Sequence, residues 1–383
     1  MNRKERVIAT LCLEEPDVVP FCEFDVSDPY IRSKLLKQTS SIGGYSFLFE
    51  TTGDAYTNHM RGLEEEILIA KEVGNHMIII NDSSCVPKKF EYKVLPKYRG
   101  QVVIQDEMGR IYSEGKDGMR WYMDGIIKKP EDFEHYEFPD LDAHGRFDFV
   151  ERATDLVGEE VFVCGSVHYG FGYAWELLGG LEKLLLCFHI NPSFAKKLLA
   201  KINKQMIEIA KIMIDYGVDG ILTRDDIAGT RGSFVSPKMF EDFLLPSIQK
   251  LAKAVKRRGA FMLTHSDGNM YPLLDYLIDA GIDCFNPIEP GPMNLKTCKE
   301  KYGDKIALWG NVNCATTLVS GSVDDTRREV MQCIEDAAPS GGYMLGTSNS
   351  IYPGCKLDNV LAMIETGEKY GRYPLQNFEM HAR

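Results

Sequence analysis

The residues best equipped for chemistry lie in one stretch, Phe261-Met262-Leu263-Thr264-His265-Ser266-Asp267-Gly268-Asn269. Its first four residues are apolar or β-favouring and predict a buried strand, and Gly268-Asn269 predicts a turn. His265 and Asp267 are two apart, so on a strand they share a face. An imidazole and a carboxylate then point together at the carboxyl end of a strand, where parallel α/β folds carry their chemistry. The same pair also suits a plain hydrogen bond that locks the turn. Other expected strand ends add Glu23 and Asp25, Asn81 and Asp82, His168 and Tyr169, Asp225 and Asp226, Glu289, Asn311 and Asn313, and Ser348 and Asn349. His265, Asp267 and Glu289 come from neighbouring strands. One His and two carboxylates form a set that suits zinc with an open position. A proton-sharing network without metal would use the same residues. Asp225-Asp226 offers a ligand, a general base or a solvated loop. Cys164 and Cys355 offer thiol ligands or inert buried side chains.

These residues need a frame. Arg3 to Leu13 reads as a helix, with Val7, Ile8 and Leu11 at helical spacing. Val18 to Asp25 reads as a strand with Glu23 and Asp25 on one face, and residues 28 to 76 as mostly helical. From about 88 to 127 the pattern predicts a small antiparallel insertion, with strands at Tyr92–Leu95, Gln101–Gln105 and Arg110–Tyr112. Pro130 to Asp140 reads as an acidic linker with aromatics. Thereafter short apolar strands alternate with helices, and Gly217, Gly259 and Gly281 sit where helix C-caps are needed. Strands beginning near Val18, His76, Val161, Gly220, Ala260, Asp283, Ile306 and Tyr343 number about eight. The expectation is an α/β fold, a TIM-type (β/α)8 barrel with an N-terminal helical segment and the β insertion, all within one domain over 1–383. No glycine-rich dinucleotide fingerprint and no ATP-type phosphate loop follows any expected strand.

Composition narrows the partners. The 383 residues are 44% hydrophobic, enough for a sizeable core, and the net charge is −12 with scattered basic residues. This argues against nucleic acid and against an anionic membrane. Ten cysteines without a CxxC pair suggest free thiols in a reducing compartment. The charged first residues carry no secretory pattern, and apolar runs such as Ile78-Ile79-Ile80 are too short to span a bilayer. A cytoplasmic location is the expectation.

Several motifs then match in order. They are Arg3-Lys4-Glu5-Arg6-Val7 with Glu14-Glu15-Pro16-Asp17-Val18-Val19-Pro20, Asp225-Asp226, Ser236-Pro237-Lys238-Met239-Phe240, His265-Ser266-Asp267-Gly268-Asn269, Gly310-Asn311-Val312 and Gly346-Thr347-Ser348-Asn349-Ser350-Ile351. Nearly end to end, the chain resembles the uroporphyrinogen decarboxylase superfamily, which implies a TIM-type barrel. In that superfamily, decarboxylases of uroporphyrinogen hold propionates with an arginine-rich N-terminal segment. Here Pro20 to Pro29 carries Glu23, Asp25 and Asp28 and no Arg. Like charges in a partly desolvated mouth cost several kcal/mol at ~4 Å.

The resemblance is closer to the corrinoid-dependent methyltransferase branch. Thiol-methylating members bind zinc through a His-x-Cys pair and a later Cys. Their His falls on His265, their first Cys on Asp267, their second near Asn349, and a Glu that reaches their metal on Glu289. Loss of both thiolates leaves a harder, more electrophilic metal, suited to polarising an oxygen leaving group. The implied function is O-demethylation: a methyl group moves from a small methylated substrate, of the methoxylated aromatic type, to the cobalamin (corrinoid) of a partner protein. Zinc would sit on His265, Glu289 and Asp267. Asp226 would protonate the leaving group or bind a polar substituent. Tyr169, Phe171 and Tyr173 would line an aromatic pocket in a loop, with Glu23, Asp25, His168, Asp225 and Asn349 completing the substrate site. The alternative is a decarboxylase acting on a carboxylated substrate.

Overall fold

The structure is a computed structural model and describes residues 1–37, 54–115 and 120–375. Strand β1 (Met77–Asn81) opens the main sheet. The chain then leaves it for an antiparallel sheet, β2 (Lys93–Tyr98), β3 (Gln101–Gln105), β4 (Arg110–Glu114) and β5 (Arg120–Gly125). It returns at β6 (Phe162–Val167) and β7 (Gly220–Arg224). A two-residue ladder follows, β8 (Ala228–Gly229) with β9 (Gly232–Ser233). β10 (Phe261–His265), β11 (Cys284–Asn286), β12 (Ala307–Val312) and β13 (Tyr343–Thr347) complete the set. The main sheet runs β1-β6-β7-β10-β11-β12-β13 with every neighbour parallel.

The segment around Phe21 closes the sheet into a barrel. Cys22 N donates to Leu345 O (2.7 Å) and Leu345 N to Pro20 O (2.9 Å) on one side, and His76 N donates to Phe21 O (2.9 Å) on the other. This eighth member is an isolated bridge, not the regular strand expected over 18–25. Pro20 has no N–H to give to a ladder. Beyond Phe21 the Asn75 side chain takes over from backbone, accepting from Glu23 N and donating to Glu23 O, each at 3.0 Å.

The barrel interior is packed with Cys22, Met77, Phe162, Cys164, Leu222, Leu263, Cys284, Ala307, Trp309 and Met344. The helix Arg3–Leu11 plugs the amino end with Val7 and Leu11. Asn2 starts that helix through a reciprocal box with Glu5, which satisfies two otherwise orphaned N–H groups. Inward residues alternate along each strand. The next inward position above Cys164, Leu222, Leu263 and Cys284 is therefore Ser166, Arg224, His265 and Asn286. Period two alone turns these polar groups into the carboxyl-end mouth.

Other differences from expectation have simple causes. The insertion has a fourth strand, β5, whose start at Arg120-Trp121-Tyr122 lacks a clean alternation of apolar and polar residues. Pro130 to Asp140 is not a free linker: it forms the helix Pro130–Glu134 and buries Phe133 and Tyr136. The loop expected around Phe171 is the helix Phe171–Leu178, with Phe171 and Tyr173 buried. Part of the helical stretch expected over 28–76, namely 38–53, lies outside the described residues. Among the described residues, no helix is long and apolar enough to cross a membrane.

Candidate active site

His265 ends β10 beside Asn286 of β11, to which it is paired in register. The Asn286 amide is oriented by its donation to Trp309 O at 3.0 Å. Its Oδ1 therefore faces His265 Nδ1, at 2.6 Å, and can only accept. The proton must sit on Nδ1, leaving the Nε2 lone pair free. Nε2 lies 3.8 Å from Asp226 Oδ1 and 3.8 Å from Asp267 Oδ1. Those distances are too long for hydrogen bonds. They are close to what one cation would need, because zinc bonds of about 2.0–2.2 Å at tetrahedral angles set ligand atoms roughly 3.5 Å apart.

Asp226, His265 and Asp267 offer ligand atoms that all lie within 4.8 Å of one another. Asp267 is held from two sides: Asn349 Nδ2 donates to its Oδ2 at 2.9 Å, and its backbone N donates to Asp226 Oδ1 at 3.1 Å. Its Oδ1 is buried and has no hydrogen-bond partner. Burial, together with the Asp226 and Glu289 charges, pushes the Asp267 carboxyl up to about 6, against the opposing pull of His265. A buried carboxylate oxygen without a donor, facing an imidazole lone pair, is the arrangement a divalent cation would satisfy. The donor set, one nitrogen and two oxygens, suits zinc as a hard, open site.

The other expected site residues divide into groups. Glu289 stands outside the trio. Its Oε2 accepts from Gly268 N at 2.7 Å and so shapes the turn after Asp267. Gly268 itself needs a positive φ of 87°, and a Cβ there would meet Ala228 C at 2.7 Å. Asp225 is not one of the trio. It accepts from Tyr169 N (2.7 Å) and Gly172 N (2.5 Å), and it holds His168 Nδ1 at 3.2 Å. It thereby caps the Phe171–Leu178 helix, which has no capping side chain of its own. Gly172 fits because a Cβ would lie 2.6 Å from His168 Nδ1. Burial opposes a charge on His168, but Asp225 outweighs it and raises the imidazole pKa.

Tyr173 is buried and donates to Asp82 Oδ2 at 2.5 Å, while the Arg110 guanidinium lies over its ring at 4.3 Å. Tyr169 is buried as well, and its hydroxyl has no partner. Glu23 and Asp25 flank Phe24, the residue that meets His265, with ring centroids 5.0 Å apart. Glu23 instead binds Thr347, through N (3.2 Å) and Oγ1 (2.8 Å), and burial pushes its carboxyl up to about 8. Asp25 accepts from the Ser27 hydroxyl. Neither Cys164 nor Cys355 joins the trio. Cys164 is packed inside the barrel, and burial raises both thiols, that of Cys355 to about 12, so they stay protonated.

One mouth residue was missed from sequence. Arg224 is paired in register with His265, bonds Ser166 Oγ through Nε, and has an NH2 nitrogen 3.9 Å from Asp82 Oδ1. Its signal was available: it sits two residues after Leu222 on the inward face and directly before Asp225-Asp226.

Together these features define a parallel barrel of the TIM type whose carboxyl-end mouth gathers a metal-capable His and two carboxylates. The chain belongs to the uroporphyrinogen decarboxylase (URO-D) family, whose profile matches residues 100–370. Similar proteins include a methylcobamide:CoM methyltransferase of Methanosarcina barkeri, 26% identical over 58% of this chain and 62% of its own length. A methylated-thiol–coenzyme M methyltransferase of Methanosarcina mazei is 22% identical over 49% of this chain and 48% of its own. The chain thus spans about half to three-fifths of the length of these two methyltransferases. A uroporphyrinogen decarboxylase of Pseudoalteromonas translucida is 23% identical over 70% of this chain and 76% of its own. In fold, a methyltransferase from Methanosarcina mazei is similar with a TM-score of 0.73 at 21% identity, covering 97% of this chain and 99% of that one.

Proposed function

We propose that the protein is a methyltransferase that moves a methyl group from a small methylated substrate, of the methoxylated aromatic type, to the corrinoid of a partner protein. Asp226, His265 and Asp267 would hold zinc, which would supply Lewis-acid polarisation of the substrate's ether oxygen. The observation that carries this reading is the buried, unpartnered Asp267 Oδ1 3.8 Å from the free nitrogen of His265. The methyltransferases among its relatives support the transfer chemistry.

The chain's own residues prepare the site. Asn286 keeps the proton of the neutral His265 ring on Nδ1, so that Nε2 is the nitrogen turned to a metal. Asn349 fixes one Asp267 oxygen and leaves the other aimed at the centre. Asp226 is more than half exposed and lies at the open edge, where a third ligand can adjust as substrate enters. Phe24 walls the mouth beside His265. In the transfer the C–O bond would break with its electron pair staying on the oxygen, the methyl group would pass to the reduced corrinoid of the partner protein as acceptor, and water at the open mouth would supply the proton that neutralises the oxygen.

The test couples metal analysis to transfer. Purified protein should contain close to one zinc per chain, and with added cob(I)alamin it should form methylcobalamin from methoxylated aromatics. His265→Ala should lose both zinc and transfer. A zinc-free protein that transfers methyl at the full rate, or a zinc-binding His265→Ala, overturns the proposal. A second reading, decarboxylation, is favoured by the longer match to a uroporphyrinogen decarboxylase and by the Arg224 cation in the mouth. Release of CO2 from a carboxylated substrate without methyl transfer would establish that reading instead.

A further inference from the structure

We propose that the cavity between the β insertion and the barrel is a binding site for an uncharged aromatic small molecule. The site needs neither metal nor corrinoid, so it stands apart from the methyltransferase reading above.

The antiparallel insertion meets the barrel through its β3–β4 turn, which brings Asp106, Glu107 and Met108 to the cavity, followed by Arg110 at the start of β4. The facing sides come from Asp82 and Ser83 just past β1, from Tyr173 of the helix Phe171–Leu178, and from Met206 and Ile209 of the helix Pro192–Asp215. The space is about 650 Å3, part of it open to solvent, within the range of about 300–1,000 Å3 that small-molecule pockets occupy. Val86, Phe90, Leu141, Met206 and Ile209 make apolar walls. Protein interiors leave few voids larger than a water, and apolar walls without a neighbour forfeit their dispersion contacts until something fills the space.

The charges around the cavity are matched among themselves. Arg110 pairs with Asp106 (2.6 Å) and Glu176 (3.1 Å), and Arg146 with Glu107 (2.9 Å) and the carbonyls of Cys85 and Asp140. Arg120 stands 3.8 Å from Glu114. Asp82 accepts from the Tyr173 hydroxyl at 2.5 Å and lies 3.9 Å from Arg224. A charged ligand would break one of these pairs or be buried without a counter-ion, and both are costly. The ligand class is therefore uncharged. Its shape follows from the rings in the wall. Arg110 covers the Tyr173 ring at 4.3 Å, Arg120 covers the Tyr92 ring at 4.7 Å, and Phe90 meets Tyr92 edge-on at 4.8 Å. Rings held in this way suit a flat aromatic partner, met edge-to-face or offset.

The test is calorimetric titration of the full chain without corrinoid, using 4-methoxytoluene, its anionic counterpart 4-methoxybenzoate and its saturated counterpart 1-methoxy-4-methylcyclohexane. Wild-type protein should bind 4-methoxytoluene at least about tenfold more tightly than the acid and about two- to tenfold more tightly than the saturated ether. Ile209→Trp fills the cavity and should weaken 4-methoxytoluene at least about tenfold. Val86→Phe, from another wall, should do the same and serves if Ile209→Trp does not fold. Binding to His265→Ala should match wild type within about twofold, since the cavity does not use that residue. No binding of 4-methoxytoluene up to its solubility limit, or binding that the filled variants leave intact, overturns the proposal. Acid binding as tight as that of the aryl ether and equally sensitive to Ile209→Trp overturns the uncharged class. Binding lost in His265→Ala but kept in Ile209→Trp seats the ligand in the barrel mouth and overturns the cavity.

Discussion

Asn286 holds the key to which nitrogen of His265 is free, and Asn286→Leu tests that dependence. The replacement is close in size but removes both polar ends. Two buried groups then lose their partners, the Nδ1–H of His265 and the carbonyl of Trp309, in a residue pair that is 8% and 1% exposed. Each orphaned group costs about 1–3 kcal/mol, partly offset by the added apolar contact, so a loss on the order of 3 kcal/mol in unfolding free energy is expected. The imidazole is also released. It can rotate or change tautomer, and zinc affinity should fall about 10- to 100-fold, as it does when a metal-bound His loses its outer partner. Chelator competition measures the affinity, and urea unfolding of the metal-free protein measures the stability. An Asn286→Leu protein that binds zinc within twofold of wild type, while His265→Ala does not bind it, would refute the reasoning that the amide sets the tautomer.

Two further outcomes are expected. Asp226→Asn should weaken zinc binding by at least about tenfold, whereas Glu289→Gln, which retains an acceptor for Gly268 N, should change it less than about threefold; chelator competition on both variants decides which carboxylate completes the trio. Glu23 should make the protein less stable as pH rises. Its folded carboxyl is pushed up to about 8 from the usual 4.5, so between those values the folded state holds a proton that the unfolded state has lost, and stability falls with increasing pH. Burial outweighs the donations from Thr347 N and Oγ1 that favour the charged form. Glu23→Gln should flatten this slope in thermal melts taken from pH 5 to 8.5, and an unchanged slope would assign it elsewhere.

The barrel was legible because its signals are local. Seven parallel strands stand at the expected apolar runs, and the helices Val323–Ala337 and Leu357–Tyr370 have the expected bounds. Period two placed His265 inward at the end of β10, whereas Asp267 lies in the loop beyond that strand and is held near His265 by Asn349 and Asp226; motif order led to the URO-D family. What failed to show were features whose partners are distant in sequence. The closing segment around Phe21 depends on Asn75 and Leu345, which lie far along the chain. Glu289 was grouped with His265 because their strands adjoin, but strand adjacency does not say which way a loop carboxylate turns. One of its oxygens accepts from the Gly268 amide, and Asp226 Oδ1 stands 3.8 Å from His265 Nε2.

Sequence by itself determined the strand–helix rhythm and the inward polar layer above the apolar barrel filling, with His265 in it, since alternation and capping act over a few residues. Tertiary structure alone decided that Asp225 caps a helix while the adjacent Asp226 meets His265, and that Asn286 selects the free imidazole nitrogen. Neighbouring acids have the same composition and nearly the same position. Their roles part only when the closed barrel brings a helix N-terminus to one and an imidazole to the other.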